Sequence, residues 1–471
     1  MDRAKYLAKN TLIFALGNLG SKLVAFLLVP LYTGVLATEQ FGKVDLITTI
    51  CMVAAPAIFL NVGEAVMRFC LDKNADKDGI MSVAYLVMLL AIVPGAAFTI
   101  GIFLYHKLAE YWLLILLYTV AMGISQIALC YLRGKEELLK YSVGNILQTL
   151  FIAGLNIVFL LVFKWGITGY LLSYVISYAI TALYGFVAGS AFKVFKNFHI
   201  NKTLFKQMIV YSVVLIPNTF MWWIMNSSDR LMVTEMRGLD ENGIYAVAYK
   251  LPTIVSVVTG IFNQAYSYSA IKEDSSKDKN EYNESVFNSL IAFLVLIGMG
   301  LLLFLKPILK VYVAPEYFSS WFFSPPLIVG MALMALGTFL ANFYVVNKDS
   351  KGFMLSATAG AILNLVLNFL SIPKFGAIGA AIATCFSYFV VFLYRFFDTK
   401  KYIKIRVFSI KNILTLVCLT ASALLVYVDG LIPICVQVVL IALVIVIKFE
   451  PIKSTLVNMK RLIPGKSKQA K

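Results

Sequence analysis

Long apolar runs separated by short polar connections recur along the chain from residue 11 to residue 448, and no region interrupts the pattern. Each run is close to the roughly 20 residues a helix needs to cross about 30 Å of hydrocarbon. The runs predict fourteen helices, at residues 11–36, 44–70, 80–104, 111–132, 141–163, 166–190, 207–228, 244–270, 286–305, 321–346, 353–372, 376–397, 410–428 and 431–448. In lipid every backbone N–H and C=O must be paired within its own segment or within a closed barrel, and these runs are too long and too continuously apolar for barrel strands. The pattern therefore predicts an all-α integral membrane protein with about fourteen transmembrane helices. The connections are too short to hold a soluble core of their own.

The chain also repeats itself. KWGITGYLLSYVISYAITALY, residues 164–184, and KFGAIGAAIATCFSYFVVFLY, residues 374–394, share seven identities in 21 positions at a constant offset of 210. Lys164/Lys374, Gly166/Gly376 and Gly169/Gly379 open the match, and Tyr178/Tyr388 and Tyr184/Tyr394 lie in its second half. LATEQFGKVDLITTI after the first helix is a weaker partner of GLDENGIYAVAYKLPTI after the seventh. Helices one to six thus correspond to seven to twelve. An even number of crossings returns the chain to its starting side, so two such lobes are expected to be related by a pseudo-two-fold axis along the membrane normal. The predicted organisation is an N-terminal lobe at 1–206, a C-terminal lobe at 207–405, and two extra helices with a basic tail at 406–471.

Composition sharpens this picture without changing it. A chain that is 60% hydrophobic and 14% charged, with a mean hydropathy of +0.84, is too apolar for a soluble domain. The formal charge of +17 raises the question of nucleic acid, but the positions of the bases answer it. Thirty of the 41 Lys and Arg fall at the amino terminus, in alternate connections and in the tail, eight fall on the opposite side, and Lys22, Arg68 and Lys250 lie inside helices. By the positive-inside rule both termini are cytoplasmic, and the excess base reads as topology rather than as a nucleic-acid surface. MDRAKYLAKN is a basic flank before a run long enough to be retained as a helix, so no cleaved signal peptide is expected.

The residues of enzyme chemistry are missing. The two histidines, His106 and His199, sit in connections, the six cysteines lack CxxC spacing, and no HExxH, GxSxG or P-loop is present. The acidic stretch IKEDSSKDKNEYNE alternates with lysine and lacks EF-hand spacing. The expectation is a protein that is not an enzyme and holds no metal or cofactor, in which a proton or sodium gradient, a lipid gradient or downstream consumption supplies the energy.

Candidate chemistry lies in the helical charges. Lys22 is about eleven residues into the first helix, about 15 Å from either end at 1.5 Å per residue, farther than its stem can snorkel. Such a lysine either pairs with a carboxylate or faces an aqueous cavity. Lys250 lies in the eighth helix, with Asp229 and Arg230 expected to close the seventh helix within its reach. Glu64 and Arg68, four apart in the second helix, share a face and are expected to bond each other unless Arg68 snorkels. Asp45 is expected to complement the dipole at the start of that helix. Prolines 30, 56, 94, 217 and 252 predict bends in helices one, two, three, seven and eight. Asn218, Trp222, Trp223 and Asn226, and then Asn263, Gln264, Tyr266 and Tyr268, set amides beside aromatic rings, as a sugar contact or an interfacial belt would. The candidate substrate-binding residues are Lys22, Lys250, Arg68, Glu64, Asn218, Trp222, Asn263 and Gln264.

NTLIFALGNLGSKLVAFLLVPLYTGVLATEQFGKVDLI resembles the amino-terminal signature of the Wzx-type polysaccharide/O-antigen flippases, a branch of the multidrug/oligosaccharidyl-lipid/polysaccharide (MOP) transporter superfamily, and DRLMVTEMRGLDENGIYAVAYKLPTIV resembles the second lobe of the same family. The resemblance implies a flippase that moves undecaprenyl-pyrophosphate-linked oligosaccharide across the bacterial plasma membrane by alternating access. It implies a cationic cavity in which Lys22 and Lys250 match the family's basic positions. It also implies membrane lipids, a polysaccharide polymerase and other assembly proteins as partners. A lipid II-type flippase and a cation-coupled multidrug exporter of the same superfamily are the alternatives.

Overall fold

The structure, a computed structural model, describes residues 20, 22–72, 74–273 and 278–453, and only the backbone of 264, 265 and 267–273. The predicted start of the first helix, the Gln264 side chain and the end of the tail lie outside the described residues. Among those residues the secondary structure is helical, with no strand. Every predicted run coincides with an apolar helix. Ten are long and apolar enough to span a membrane: α2 Thr38–Ile58, α4 Lys77–Leu104, α5 Ala109–Gly134, α6 Leu138–Val162, α7 Gly166–Ala188, α8 Lys202–Arg237, α11 Lys279–Leu303, α12 Ser324–Val346, α13 Ser350–Phe375 and α14 Ala377–Thr399. The bent pair α9 Leu239–Ala248 and α10 Pro252–Glu273 adds an eleventh, and α1 Lys22–Val35, α15 Ile410–Leu425 and α16 Leu431–Ile447 are shorter.

The predicted second helix is not one helix. After α2 the chain breaks and resumes as α3, Val62–Cys70. Pro56 lies inside the last turn of α2, and Leu60 and Asn61 follow in the left-handed region at φ 50° and 54°. The Asn61 N–H reaches back to the Pro56 carbonyl at 2.7 Å. Phe59 is buried, and its ring occupies the space that a Cβ on Gly123 would need, so α5 holds the break in place. The break between α9 and α10 has the same cause and a different remedy. Pro252 has no N–H for the carbonyl of Ala248 four residues back, and the Ser324 hydroxyl of α12 donates to that carbonyl at 3.0 Å.

The chain forms two compact units, residues 1–246 and 247–471, with the boundary inside α9. Helix α8 therefore packs within the first unit, on α2, α3 and α4, beyond the boundary at 206 suggested by the repeat. Within the first unit the main helix pairs are α5 with α7, α6 with α7, and α3 with α5. Within the second they are α12 with α14, α13 with α14, and α10 with α12, the same three pairs in repeat order. The shared Lys-aromatic-Gly-x-x-Gly opening acquires a physical reason here. Gly166 and Gly376 take positive φ, 53° and 69°, to turn the chain into α7 and α14. A Cβ on Gly169 would lie 3.0 Å from Phe159 and Trp165, and one on Gly379 would lie 2.7 Å from the Ser371 carbonyl, so each second glycine admits the preceding helix.

Candidate functional site

In the first unit, α1, α6 and α7 enclose a pocket of about 250 Å³ that contains Lys22. Lys22 is exposed and, among the described residues, is the only charged one in the lining. Asn145, Gln148 and Thr149 line the wall from α6, where positions i, i+3 and i+4 share one face. Tyr174 closes it from α7. Behind that wall runs a tyrosine cluster. Tyr170 and Tyr174 stack at 4.7 Å between ring centroids, Tyr32 meets Tyr170 edge-on at 5.1 Å, and Tyr118 packs 5.4 Å from Tyr174 and 5.7 Å from Tyr178. Gln148 lies within hydrogen-bonding reach of the Tyr178 hydroxyl, and Thr48 within reach of that of Tyr118. None of the pocket's polar residues except Lys22 stands out in the sequence. The legible signal is the spacing Tyr170, Tyr174, Tyr178, which marks one face of a helix in a stretch that reads first as a repeat.

The other candidates are dispersed. Lys250 sits in the α9–α10 break in the second unit, partly buried, with its N–H bonded to the Val247 carbonyl. The expected Glu64–Arg68 bond is not formed. Arg68 is about half exposed and pairs with Asp72 at 2.7 Å, because the acid lies one further turn toward the polar end, where both groups stay wet. Glu64 occupies the first turn of α3, partly buried, and forms no ion pair among the described residues. Asn218 and Trp222 lie exposed on α8, Trp222 at 63%. Trp223, by contrast, donates to the Thr49 carbonyl at 2.9 Å. Asn263 on α10 keeps a buried Oδ1 with no hydrogen-bond partner.

Asp45 and Arg230 also depart from expectation. Glu39, not Asp45, occupies the first turn of α2, and α8 runs on to Arg237, so Asp229 and Arg230 are interior to a helix and do not close one. Arg230 donates to Asp45 at 2.9 Å, with Asp45 only 8% exposed, and Tyr245 of α9 donates to Asp229 at 2.7 Å. Beside these pairs α2 and α9 cross on glycine. A Cβ on Gly42 would lie 1.9 Å from the Leu239 carbonyl oxygen, and one on Gly243 would lie 2.0 Å from that of Thr38. Each glycine Cα–H thus points at the other helix's backbone in a reciprocal pair of weak hydrogen bonds. Thr38 donates to Asp240 at 2.7 Å and the Asn242 amide to the Gly42 carbonyl at 3.1 Å, so side chains fasten the crossing.

Outside the spanning segments, His199 places Nδ1 2.8 Å from the Asn197 carbonyl and Nε2 2.6 Å from Asp76, the N-cap of α4. Both partners are acceptors, so this arrangement favours the doubly protonated ring. The carbonyl of Asn197 first, and then Asp76, hold the imidazole's pKa above its ordinary value. In the second unit Asp349 caps α13, and the Gly352 N–H, the Tyr402 hydroxyl and Lys401 bring its carboxyl down to about 2. Among the described residues no three metal-capable side chains come together.

The fold is one shared by MOP-superfamily transporters. A lipid II flippase MurJ in an inward closed conformation superimposes with a TM-score of 0.67 at 14% identity, covering 95% of this chain and all of that one. An inward-facing MATE family multidrug resistance transporter of the MOP superfamily gives 0.66 at 12% identity, covering 82% and 93%. At these identities the likeness concerns the fold. A family model described as polysaccharide biosynthesis protein matches residues 7–268, more than half of the sequence, and the chain belongs to that family. Among curated relatives, a probable low-salt glycan biosynthesis flippase, Agl15 of Haloferax volcanii, is 23% identical over 97% of this chain and 99% of its own. An uncharacterized membrane protein of Methanocaldococcus jannaschii is 23% identical over 82% and 96%.

Proposed function

We propose that the protein is a flippase for a glycan carried on a polyprenyl pyrophosphate, undecaprenyl in a bacterial setting, and that Lys22 receives the pyrophosphate. The observation that carries this reading is a polar pocket, in a polysaccharide biosynthesis protein, whose one charge among the described residues is Lys22 at the described start of α1. A cation at membrane depth needs an anion or water beside it, and among the described residues no carboxylate lines the pocket. Agl15 is described as a probable flippase for glycan biosynthesis, and MurJ as a lipid II flippase. A lipid II-type substrate offers the same anionic link and remains the nearer alternative. A multidrug exporter of cationic cargo fits a pocket whose only charge is positive less well. The same reading keeps both termini cytoplasmic, takes membrane lipids and polysaccharide assembly proteins as partners, and assigns coupling to protons or sodium through Glu64. Lys250, at the break between α9 and α10, is the further candidate for contact with the anionic link.

The test is transport in reconstituted vesicles. Lys22→Ala and Lys22→Glu should abolish flipping of lipid-linked glycan while the protein inserts and folds, and Lys22→Arg should retain a substantial part of it. Lys22→Ala protein that is folded and flips at the normal rate refutes the assignment. Loss of folded protein in Lys22→Ala would assign the lysine to a structural ion pair.

A further inference from the structure

We propose that the face between α13 and α14 binds an anionic phospholipid of the outer leaflet, with Lys374 on the headgroup phosphate and one acyl chain lying in the groove between the two helices. The site belongs to the second unit, shares no residue with the Lys22 pocket and does not depend on which cargo the protein carries.

Shape is the first support. The groove has a volume of about 560 Å³, with apolar walls from Leu367 and Leu370 of α13 and Ile378, Ile382 and Phe386 of α14. Leu370, Ile382 and Phe386 are exposed on spanning helices, so the groove opens toward lipid. Leu367 and Lys374 stand seven residues apart, about 10 Å at 1.5 Å per residue, against about 15 Å for half of the hydrocarbon core. That length suits an acyl chain confined to one leaflet better than a polyprenyl tail. The second support is the placing of the polar groups, all at one end. Lys374 is exposed and forms no ion pair among the described residues, and it shares a face with Ser371, whose hydroxyl has no hydrogen-bond partner among them. The N-terminus of α14 opens beside them at Gly376 with no side-chain cap, so the positive end of a 23-residue helix adds to the lysine's charge. This end of α13 lies away from its Asp349 cap, and the distribution of bases makes it the outer end. The third support is the repeat mate. Lys164 holds the corresponding place before α7, but there the rings of Phe159 and Phe163 pack on Trp165 at 5.1 and 4.9 Å beside Gly169, whereas Gly379 lines the open groove. A second groove of about 450 Å³, beside α12, α14 and α15, has no charged residue in its lining and so can seat a chain without choosing a headgroup.

The experiment is native mass spectrometry of the purified full-length protein, titrated with phosphatidylglycerol or with zwitterionic phosphatidylcholine of the same chains. Wild type should retain one phosphatidylglycerol more tightly than it retains phosphatidylcholine. Lys374→Gln should lower the phosphatidylglycerol affinity about fivefold, the effect of one lysine near an anionic lipid, and leave phosphatidylcholine unchanged, while Lys374→Arg keeps the preference. Lys164→Gln should change neither. Ile382→Trp, at an exposed position, fills the groove and should weaken both lipids. Equal binding of the two lipids by wild type, unchanged phosphatidylglycerol binding in Lys374→Gln, or an equal loss in Lys164→Gln overturns the site. So does a polyprenyl phosphate that displaces the bound phosphatidylglycerol and is itself weakened by Lys374→Gln, since the groove would then belong to the cargo.

Discussion

Helices α6 and α7 in the first unit and α13 and α14 in the second correspond in the repeat, yet one pair lines a polar pocket and the other joins its polar side chains to each other and leaves only an apolar cavity. At the offset of 210, Tyr170, Tyr174 and Tyr178 correspond to Ala380, Thr384 and Tyr388. Where the first unit stacks tyrosines, the second closes on itself. Asn368 donates to Asn364 at 3.0 Å, Asn364 donates to the Thr384 hydroxyl at 3.2 Å, and all three are buried. Arg395 lies 3% exposed inside α14 and ties α13 through Ser356 and α12 through the Gly337 carbonyl, each at 3.1 Å. The difference teaches that a repeat conserves packing geometry through its glycines, while the polar residues between them decide whether a helix pair offers a site or a seam.

The contrast can be broken most sharply in the seam. Asn364→Leu removes the buried acceptor of the Asn368 amide and the donor to the Thr384 hydroxyl, and should cost about 1–3 kcal/mol of stability, read as a lower melting temperature, with transport per folded molecule retained. Selective loss of transport without loss of stability would make the seam a second site. A smaller difference is expected between the paired glycines. Gly379→Ala drives a Cβ to 2.7 Å from a backbone carbonyl oxygen, whereas the tightest contacts of Gly169→Ala are 3.0 Å, to the Cβ carbons of Phe159 and Trp165, so the first should destabilise by about 1–3 kcal/mol and the second by less. Equal melting temperatures for the two would mean that both crossings can relax. The smallest effect separates the units by pH. The raised His199 group stabilises the first unit's loop below its unfolded pKa of about 6.5, and that contribution is lost as pH rises through its folded value. The depressed Asp349 group stabilises the second unit's turn above the ordinary carboxyl range and is lost only as pH falls through about 2. Hydrogen exchange between pH 5 and pH 9 should therefore loosen residues near 199 and leave those near 349 unchanged. Alkaline loosening near 349 would contradict this assignment.

The helices were legible because hydropathy is set residue by residue, and fourteen runs need no tertiary knowledge to read. Breaks were half legible. Pro56 and Pro252 announced them, but where the chain resumes depends on Phe59 finding Gly123 and on Ser324 finding the freed Ala248 carbonyl, partners 64 and 76 residues apart in sequence. The site was legible at Lys22 alone, since a charge in an apolar run stands out, whereas Asn145, Gln148 and Thr149 are unremarkable until α6 turns them to one side. The Glu64–Arg68 and Asp45 expectations failed for a common reason. Local spacing ranks neighbours along one helix, and a competing partner, Asp72 at the next turn or Arg230 on α8, is invisible to that ranking.

The glycine crossing of α2 and α9 has a consequence for inheritance. Most packing contacts tolerate drift, because a gain of volume on one side can be met by a loss on the other. Gly42 and Gly243 each face a backbone oxygen, and neither partner has a side chain left to trim. No second mutation can compensate for the first, so lineages of this protein cannot wander at these two positions through paired exchange. They can change here only by moving the helices themselves.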